Sequence, residues 1–423
     1  MPGLFQNYPG NLAPTGQELM PLDLPAPSNL NVLPETVVMS AMQVAGSGPV
    51  TMRNLLKGGD FTSNPWVRGT TFTGISSTLT YTADRFGALG GASSSISVSK
   101  QAVATGAIPG EGFGQALQFG RAAANANTAL IQIGQALETL DSIQAQTDQV
   151  TLSFWAQAGA NFSAVGNFLN LYAFTGTGTD QSLAAMLAGT WTGSSARQLS
   201  TVANGNISFG VNAVSLGNPG VGQASVGNPS TGLGYGPVLT PVTGVNITSS
   251  WAKYQVTFSV AQTATQLGIA FGYTPVGTAG ANDWFQIAGV QLECVAANMP
   301  VATPFEHRPQ SVEAVLCQRY AYSWSEPAAN VPVSAIGLAT GAATQKIILP
   351  LPAFMRAAPT MTIPSAGSWR LNIAGTPTAV TLAAATSSVS AGVLTGGATN
   401  TAGQVLLLEG NGGNGLIVAS AEL

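Results

Sequence analysis

Alternating apolar and polar residues around position 290 give the clearest strand signal in the chain. Phe285 and Ile287 lie on one face, and beyond Gly289 the apolar face continues one position out of phase at Val290 and Leu292. Alternation with a period of two is typical of a half-buried strand. A glycine at the change of phase predicts a β-bulge. We therefore predict a buried, bulged strand that closes the structure formed by the preceding residues.

The residues that follow this strand predict a crossing segment and then a short helix. Pro300 and Pro304 cannot donate to a strand ladder and favour extended backbone in the residues before them. Pro309 suits the first turn of a helix, and apolar residues follow it at helical spacing. We expect a short helix and linker over residues 309–324.

Short alternating segments recur through residues 51–308, separated by clusters of glycine, asparagine and proline. This spacing predicts an antiparallel sandwich or jelly roll. Residues 136–146 fit either a helix or a loop between strands. The alternating segments lie at 117–119, 131–133, 152–156, 168–171, 254–260 and 267–273.

Residues 325–423 contain short candidate strands that are rich in threonine, alanine and glycine. Such thin strands rarely form a stable core alone, so we expect them to bury surface against other copies of the chain. The candidate strands are Lys346–Leu349, Thr360–Ile363, Trp369–Ile373, Ala379–Leu382, Val405–Leu408 and Leu416–Ala419.

Residues 1–50 differ in kind from the rest of the chain. Seven prolines within the first 34 residues prevent a regular helix or interior strand and favour extended backbone. Apolar residues are interspersed among these prolines, which is unusual for a disordered tail. We predict an extended arm that anchors the protein on a neighbour, with a disordered tail as the alternative. The predicted anchoring residues are Phe5, Tyr8, Leu12, Leu19, Met20 and Leu22.

These patterns predict an all-β protein with four parts. An extended N-terminal arm occupies residues 1–50, and a central β-sandwich of the jelly-roll kind occupies residues 51–308. A short helix and linker follow at residues 309–324. A small C-terminal β domain completes the chain at residues 325–423.

The charge content narrows the choice of partners. Charged residues form only 7% of the chain, against about 25% in an average globular protein. The net charge of −4 offers no basic footprint for nucleic acid. No apolar run reaches the roughly 18 residues that a membrane span needs. The amino-terminal residues lack the pattern of a signal peptide, so we expect maturation in a cytoplasm, with Cys294 and Cys317 as buried free thiols.

Catalytic chemistry finds little support in the sequence. His307 is the single histidine and is flanked by Glu306 and Arg308, which favours a structural role over a triad or a zinc site. Glycoside hydrolysis needs two carboxylates, but nothing in the sequence pairs Asp84 with Asp283. The GxGxxG pattern at residues 410–415 lacks a following helix and indicates a hairpin turn. We expect no enzyme activity, no cofactor and no metal.

Two patches resemble the tail-fibre and other appendage proteins of tailed bacteriophages. They are RNLLKGGDFTSNPWVRGTTFTG…YTADRF at residues 53–86 and WFQIAGVQLE…ATPFEHRPQSVEAVLCQRYAYSW at residues 284–324. The resemblance spans residues 53–324 and continues to about residue 363. It implies a carbohydrate-binding-like jelly roll and a homotrimer. Residues 57–60 (Lys-Gly-Gly-Asp) and Phe86 depart from the Asn-Gly and Trp that relatives often carry.

Exposed aromatic side chains are the candidates for sugar binding, because sugar rings present apolar faces to them. Trp66 and Trp191 lie among glycine, serine, threonine and proline and are expected to be exposed, where they would contact either a glycan or another subunit. Trp155 and Trp284 are expected to pack in the core. Neighbouring charged side chains suit hydrogen bonds to sugar hydroxyls. The predicted glycan-binding set is Trp66, Arg68, Asp84, Arg85 and Trp191.

We therefore predict a bacteriophage virion structural protein, a tail fibre or spike that attaches to host-surface polysaccharide. It would be assembled in the bacterial cytoplasm and held on other virion proteins by residues 1–50. One alternative is a head fibre or capsid decoration protein of the same fold. Another is a polysaccharide depolymerase that uses a carboxylate such as Asp84 or Asp283. A third is a free-standing carbohydrate-binding module.

Overall fold

The computed structural model describes most of the chain beyond its first 51 residues. The chain divides into two compact units, Met1–Arg53 and Asn54–Leu423, and all described strands and helices lie in the second. The predicted N-terminal arm and its six anchoring residues lie outside the described residues. Those are 52–146, 149–199, 214–215, 245–295, 302–326, 328–364, 366–373, 375–385, 387–412 and 415–423.

The described residues form 24 strands and three short α-helices, all strand pairs being antiparallel. The first fourteen strands are β1 Thr71–Ile75, β2 Thr80–Tyr81, β3 Gly87–Leu89, β4 Ile96–Ala102, β5 Gln115–Arg121, β6 Ile131–Ala136, β7 Gln149–Ala158, β8 Phe168–Gly176, β9 Ser195–Leu199, β10 Val214–Ser215, β11 Val245–Asn246, β12 Ala252–Ser259, β13 Gln266–Tyr273 and β14 Trp284–Val295. The remaining strands are β15 Ala321–Glu326, β16 Pro332–Gly341, β17 Thr344–Pro350, β18 Thr360–Thr362, β19 Trp369–Ile373, β20 Thr376–Val380, β21 Ala383–Ala384, β22 Ala391–Gly396, β23 Val405–Gly410 and β24 Gly415–Ser420. The helices are α1 Thr139–Ser142, α2 Leu183–Leu187 and α3 Gln310–Gln318.

The predicted central β-sandwich is confirmed. One sheet has the strand order β1-β4-β5-β14-β7-β12, and the other has the order β10-β9-β8-β13-β6-β3-β2, with β11 beside β8. Inward-facing aliphatic and aromatic residues of both sheets form one buried core. Strand order departs from chain order in both sheets, so most of this core joins residues that are distant in the sequence.

Strand β14 has the bulge that its sequence predicts. Phe285 and Ile287 point into the core, and after the bulge Val290 and Leu292 do so. The register with β7 shifts between Ala288 and Gln291, and Gly289 adopts a φ of 57°. Glycine reaches this left-handed backbone without a steric penalty. β14 lies between β5 and β7 and is the central link of its sheet.

The residues after α3 form a second sandwich with a core of its own, contrary to the expectation that the strands are too thin. A sheet of order β15-β24-β18 packs on a sheet of order β20-β19-β23-β16-β17-β22-β21. Trp369, Leu371 and Leu408 are fully buried there. The six predicted strands are present, although the predicted strand at 379–382 lies at Thr376–Val380. Strands β15, β16 and β22 were not predicted from the sequence, and their pairing with the predicted strands completes this core.

Short segments at the boundaries depart from the predictions in detail. Helix α3 begins directly after Pro309 as expected, but residues 321–324 belong to strand β15. Residues 136–146 contain α1 and a 3₁₀ turn, Ile143–Ala145. Strands β23 and β24, which flank the GxGxxG pattern, lie in different sheets, so the predicted hairpin is wrong. The boundaries of the predicted domains stay a prediction.

Neither cysteine forms a disulfide, but the two differ in exposure. Cys317 is buried on α3 as predicted, whereas Cys294, next to the last residue of β14, is exposed, so the prediction of a buried thiol is wrong there. Among the described helices, none is long and apolar enough to cross a membrane.

Candidate functional site

Both tryptophans that were expected to be exposed are buried, so that prediction is wrong. Trp66 packs against Phe61 and donates its indole N–H to the Phe61 carbonyl oxygen at 3.1 Å. Trp191 donates its indole N–H to the Ser182 carbonyl oxygen at 2.9 Å and belongs to a core cluster that includes Leu423. Their polar neighbours in the sequence concealed these contacts, because the packing partners come from elsewhere in the fold.

The three charged residues of the predicted glycan set lie together around Glu422. Arg68 donates to Glu422 Oε1 at 3.0 Å and lies 3.5 Å from Asp84 Oδ1. Arg85 is buried and donates to Glu422 Oε2 and to the Ala136 carbonyl oxygen at 2.5 Å. Burial raises the pKa of Asp84 to about 7, although Arg68 opposes the shift. The side chains of Asp84, Arg85 and Glu422 are almost fully buried in this charge cluster.

The last residues of the chain complete this cluster. The Tyr81 hydroxyl donates to the Leu423 carbonyl oxygen at 2.6 Å, and the Leu183 backbone N–H donates to the same oxygen at 3.1 Å. Arg356 donates to the carbonyl oxygens of Ala421 and Glu422, each at 3.1 Å. Three members of the predicted glycan set, Arg68, Arg85 and Trp191, therefore contact or pack with residues 420–423. The role of the set in ligand binding stays a prediction.

The two carboxylates considered for hydrolysis lie in separate buried ion pairs. Asp283 is fully buried and accepts from Arg121 Nε and from the Ser163 hydroxyl, each at 2.8 Å. Asp84 is fully buried beside Arg68. Neither side chain presents an oxygen to solvent, so they do not flank an open cleft as glycoside hydrolysis requires.

His307 is 48% exposed at its side chain and lies 3.5 Å from Glu111 Oε2. Its ring contacts those of Phe113 and Phe305. Within the described ranges, no three histidine, cysteine, aspartate or glutamate side chains come together in a way that could hold a metal ion. The structural role expected for His307 agrees with this packing.

A row of uncharged polar side chains crosses the outer face of the six-stranded sheet. It runs over five adjacent strands through cross-strand partners, and the neighbouring residues along each strand, such as Val98 and Phe119, point into the core on the opposite face. The row is Thr71 on β1, Ser99 on β4, Gln118 on β5, Gln286 on β14 and Gln157 on β7.

Hydrogen bonds fix the three glutamines of this row. Gln157 donates from Nε2 to Gln286 Oε1 at 2.7 Å, and Gln286 donates from Nε2 to Gln118 Oε1 at 2.8 Å. Each amide still has a second N–H or a further lone pair to offer. Gln118 and Gln157 are partly exposed. The row thus presents ordered, uncharged donors and acceptors to solvent at Gln118 and Gln157, while Gln286 between them is buried.

Trp284 lies beside this row on the same outer face. Its cross-strand partner on β5 is Gly120, and Gly159 follows β7 on its other side. A Cβ atom on Gly159 would lie 2.7 Å from Cε2 of the indole, so the ring passes over a position that only glycine leaves free. Trp284 is partly exposed and belongs to none of the buried clusters. The expectation that it packs in the core is wrong.

At the other end of this face, a cluster of aromatic side chains is covered by further residues and is not open to solvent. Trp155 and Ala288 are cross-strand partners on the side of the glutamine row away from Trp284. Both are buried with Phe113, and Phe305 and Trp251 pack against them. Burial of Trp155 agrees with the sequence prediction, but it lies on the outer face and not in the main core. The open part of the face therefore comprises Trp284 and the polar row.

This arrangement suits a carbohydrate better than a charged or strongly apolar ligand. Aromatic rings supply a flat apolar surface, while amides and hydroxyls supply both donors and acceptors. Trp284 is missed from the sequence because its neighbours along the chain, such as Phe285 and Ile287, are apolar. The alternation along β14 was the available signal, because Trp284 is two residues from Gln286 and therefore lies on the same outer side of the strand.

No family model and no curated protein matches the sequence. Several solved structures are similar, among them three with low TM-scores. The enzymatically active domain of tailspike protein 4 of bacteriophage CBA120 shares 10% identity over 57% of this chain and 22% of that chain, with a TM-score of 0.26. A CBM4 structure shares 12% identity over 43% of this chain and 71% of that chain, with a TM-score of 0.21.

The third is a cycloisomaltooligosaccharide glucanotransferase from Paenibacillus sp., in complex with cycloisomaltoheptaose. It shares 9% identity over 82% of this chain and 46% of that chain, with a TM-score of 0.19. The chain spans 22% of the length of the tailspike domain that it matches. TM-scores of this size do not establish a common fold and carry no argument about function.

Proposed function

We propose that the outer face of the six-stranded sheet binds polysaccharide, and that the chain is a structural appendage protein of a bacteriophage virion that uses this face at the host surface. The observation that carries the binding proposal is the partly exposed indole of Trp284 beside the hydrogen-bonded amides of Gln157, Gln286 and Gln118. The virion assignment is supported by the resemblance of residues 53–86 and 284–324 to phage appendage proteins.

The face has the physical properties that sugar recognition needs. Trp284 is held by the backbone of β14, and the glycines on either side leave its ring free of neighbouring side chains on the sheet. A pre-positioned ring loses little conformational entropy when it stacks on a sugar. The mutual hydrogen bonds of the glutamines hold their amides in place in the same way. A rigid, neutral surface of this kind fits a polysaccharide with repeated hydroxyl groups.

The proposal is tested by binding of purified host capsular polysaccharide or lipopolysaccharide to the full chain, measured by calorimetry or affinity electrophoresis. Replacement Trp284→Ala is expected to weaken binding at least tenfold, since a central aromatic contact at an interface contributes about 2 kcal/mol or more. Gln118→Ala is expected to weaken it less. Binding should also change the tryptophan fluorescence of the wild type.

Two control variants make this test specific. Phe354→Ala removes an aromatic side chain that is 74% exposed on the C-terminal sandwich and should leave binding unchanged. Arg68→Gln removes a member of the buried charge cluster and should alter stability without altering the affinity of the folded protein. If Trp284→Ala binds as the wild type does, or if Arg68→Gln abolishes binding while folded, the outer face is not the binding site.

Attachment to the virion and lack of catalysis are tested separately. Removal of residues 1–45 should leave a folded protein that no longer joins the particle. Imaging of the intact particle distinguishes a tail position from a head position by what residues 1–50 contact. Incubation of the polysaccharide with the intact protein should release no shorter chains. Cleavage that disappears in the Asp84→Asn or Asp283→Asn variant would instead identify a depolymerase.

A further inference from the structure

The outer face of the seven-stranded sheet in the C-terminal sandwich carries a continuous patch of exposed aliphatic side chains. Ile336, Leu338, Ile348, Val405 and Leu407 form this patch, which we call the β16 patch. Their exposed fractions are 65% for Ile336, 48% for Leu338, 55% for Ile348, 62% for Val405 and 41% for Leu407.

The register of the sheet makes the patch contiguous. Ile336 lies between Ile348 on β17 and Leu407 on β23 as a cross-strand partner of each. Leu338, two residues further along β16, is a partner of Val405. Side chains of cross-strand partners on one face lie in contact distance. The five side chains therefore form one surface over three adjacent strands.

The strands that carry the patch are apolar on both faces. On β17, Ile347 and Leu349 point into the core while Ile348 points outward. On β23, Leu406 and Leu408 are buried while Val405 and Leu407 are exposed. A strand that faces water on one side shows polar residues there, whereas consecutive apolar residues are typical of strands covered on both faces. The sequence of these strands is thus suited to a sheet that is covered by another molecule.

We propose that the β16 patch is an interface between copies of this chain. The exposed aliphatic area is about 500 Å², near the upper end of the largest patches on ordinary monomers. A stable interface of standard size buries about 800 Å² on each partner, so the patch would supply more than half of it. This self-association does not depend on the proposed polysaccharide binding.

The charge distribution favours a like partner. Lys346 is the one charged side chain among the cross-strand partners of the patch, opposite Leu338 at its edge. When the patch contacts its own copy around a two-fold or three-fold axis, aliphatic side chains therefore meet at its centre, and no like charges are brought together there. Thr344 and Thr340 continue the outward side of the strands beyond the patch and suit a polar rim.

The test is the oligomeric state of the full chain, measured by sedimentation at several concentrations. Ile336 lies at the centre of the patch, so Ile336→Glu is expected to raise the dissociation constant at least 100-fold by placing like charges against one another. The matched control is Val276→Glu, at a 56% exposed position on the first sandwich, and it should leave association unchanged. Circular dichroism establishes that each variant is folded.

A mixture of variants distinguishes a second copy from any other partner. The Ile336→Lys protein and the Ile336→Glu protein should each be monomeric when measured separately. They should associate when mixed, because opposite charges then meet in the interface. If charged variants do not fold, Val405→Thr with Leu338→Thr removes apolar area with strand-forming residues and should weaken association at least tenfold. A wild type that stays monomeric at every concentration, or variants that associate as the wild type does, would overturn the proposal.

Discussion

The guanidinium of Arg85 lies over the ring of Tyr320, with Cζ 3.6 Å from the ring centroid. Arg85 belongs to the first sandwich, and Tyr320 links α3 to the first strand of the second sandwich. The same guanidinium pairs with Glu422. One fully desolvated cation thus holds together three parts of the chain that are more than 100 residues apart in sequence.

Replacement of this cation should destabilise the protein strongly. In Arg85→Met, Glu422 keeps only Arg68 as an ionic partner and the stacking on Tyr320 is lost. Loss of one partner of a buried pair costs about 3–5 kcal/mol. We expect the free energy of unfolding in urea to fall by about 3 kcal/mol.

The controls for Arg85→Met are another ion pair and a double variant. Lys253→Met removes an ion pair with Glu111 that is partly open to water and should change stability by less than about 1 kcal/mol. The double variant Arg85→Met, Glu422→Gln should lose less stability than the two single variants together. Equal losses for Arg85→Met and Lys253→Met would contradict the importance assigned to the cluster.

Asp84 should make stability depend on pH. Burial raises its pKa to about 7, whereas an unfolded aspartate titrates near 3.9. Between these values the folded protein holds a proton that the unfolded chain has released, so the free energy of unfolding falls as the pH rises. From pH 5 to pH 8 this contribution falls by about 2–3 kcal/mol.

The comparison with Asp84→Asn isolates this titration. The amide cannot ionise, so the variant should become more stable relative to the wild type as the pH rises, with the gain complete above about pH 8. Urea denaturation of both proteins at pH 5, 6, 7 and 8 measures the difference. A difference between the two proteins that does not vary with pH would show that Asp84 titrates normally in the folded state.

The bulge at Gly289 should tolerate no side chain. A Cβ atom there would lie 2.3 Å from Cζ of the buried Phe113, and the φ of 57° is unfavourable for any other residue. Overpacking costs about 1–3 kcal/mol beyond the backbone strain. Gly289→Ala should therefore lose about 2–4 kcal/mol of stability.

Gly277→Ala is the control for backbone strain alone. Gly277 has a similar φ of 66°, but no atom lies within 4 Å of the position of its Cβ. We expect a loss of about 1 kcal/mol there. If both variants lose the same amount in thermal or urea denaturation, the contact with Phe113 is not what excludes a side chain at the bulge.

The two cysteines should differ in reactivity by orders of magnitude. Cys294 is exposed and should react with a thiol reagent such as Ellman's reagent in the folded protein. Cys317 is fully buried, and this burial raises the pKa of its thiol well above the usual range, so little reactive thiolate forms. One equivalent should react at once and the second only on unfolding. The variant Cys294→Ser should show no rapid phase.

Features encoded within a few neighbouring residues could be read from the sequence. The alternation around Gly289 predicted both the strand and the bulge, because burial on one face imposes a period of two. Pro309 marked the start of α3 because its fixed φ suits a first helical turn. Six short strands of the second sandwich were also predicted, although one of them lies three residues earlier in the chain than expected.

Features that depend on distant pairing could not be read from the sequence. Trp191 is buried in the cluster that contains Leu423, and no pattern near residue 191 indicates this contact. Arg68, Asp84 and Arg85 looked like surface groups because their partner, Glu422, lies more than 300 residues away. The core of the second sandwich was underestimated because each strand contributes only a few buried side chains. Pairing of strands that are distant in sequence assembles them into one core.

The position of β14 has a consequence for synthesis of the chain on the ribosome. Before residues 284–295 emerge, β1, β4 and β5 cannot pair with β7 and β12 through β14. The edges of β5 and β7 that later pair with β14 are therefore unpaired during this time. At roughly 5–20 residues per second this interval lasts several seconds. Open edges recruit strands from other chains, so the nascent protein is most vulnerable to aggregation in that interval.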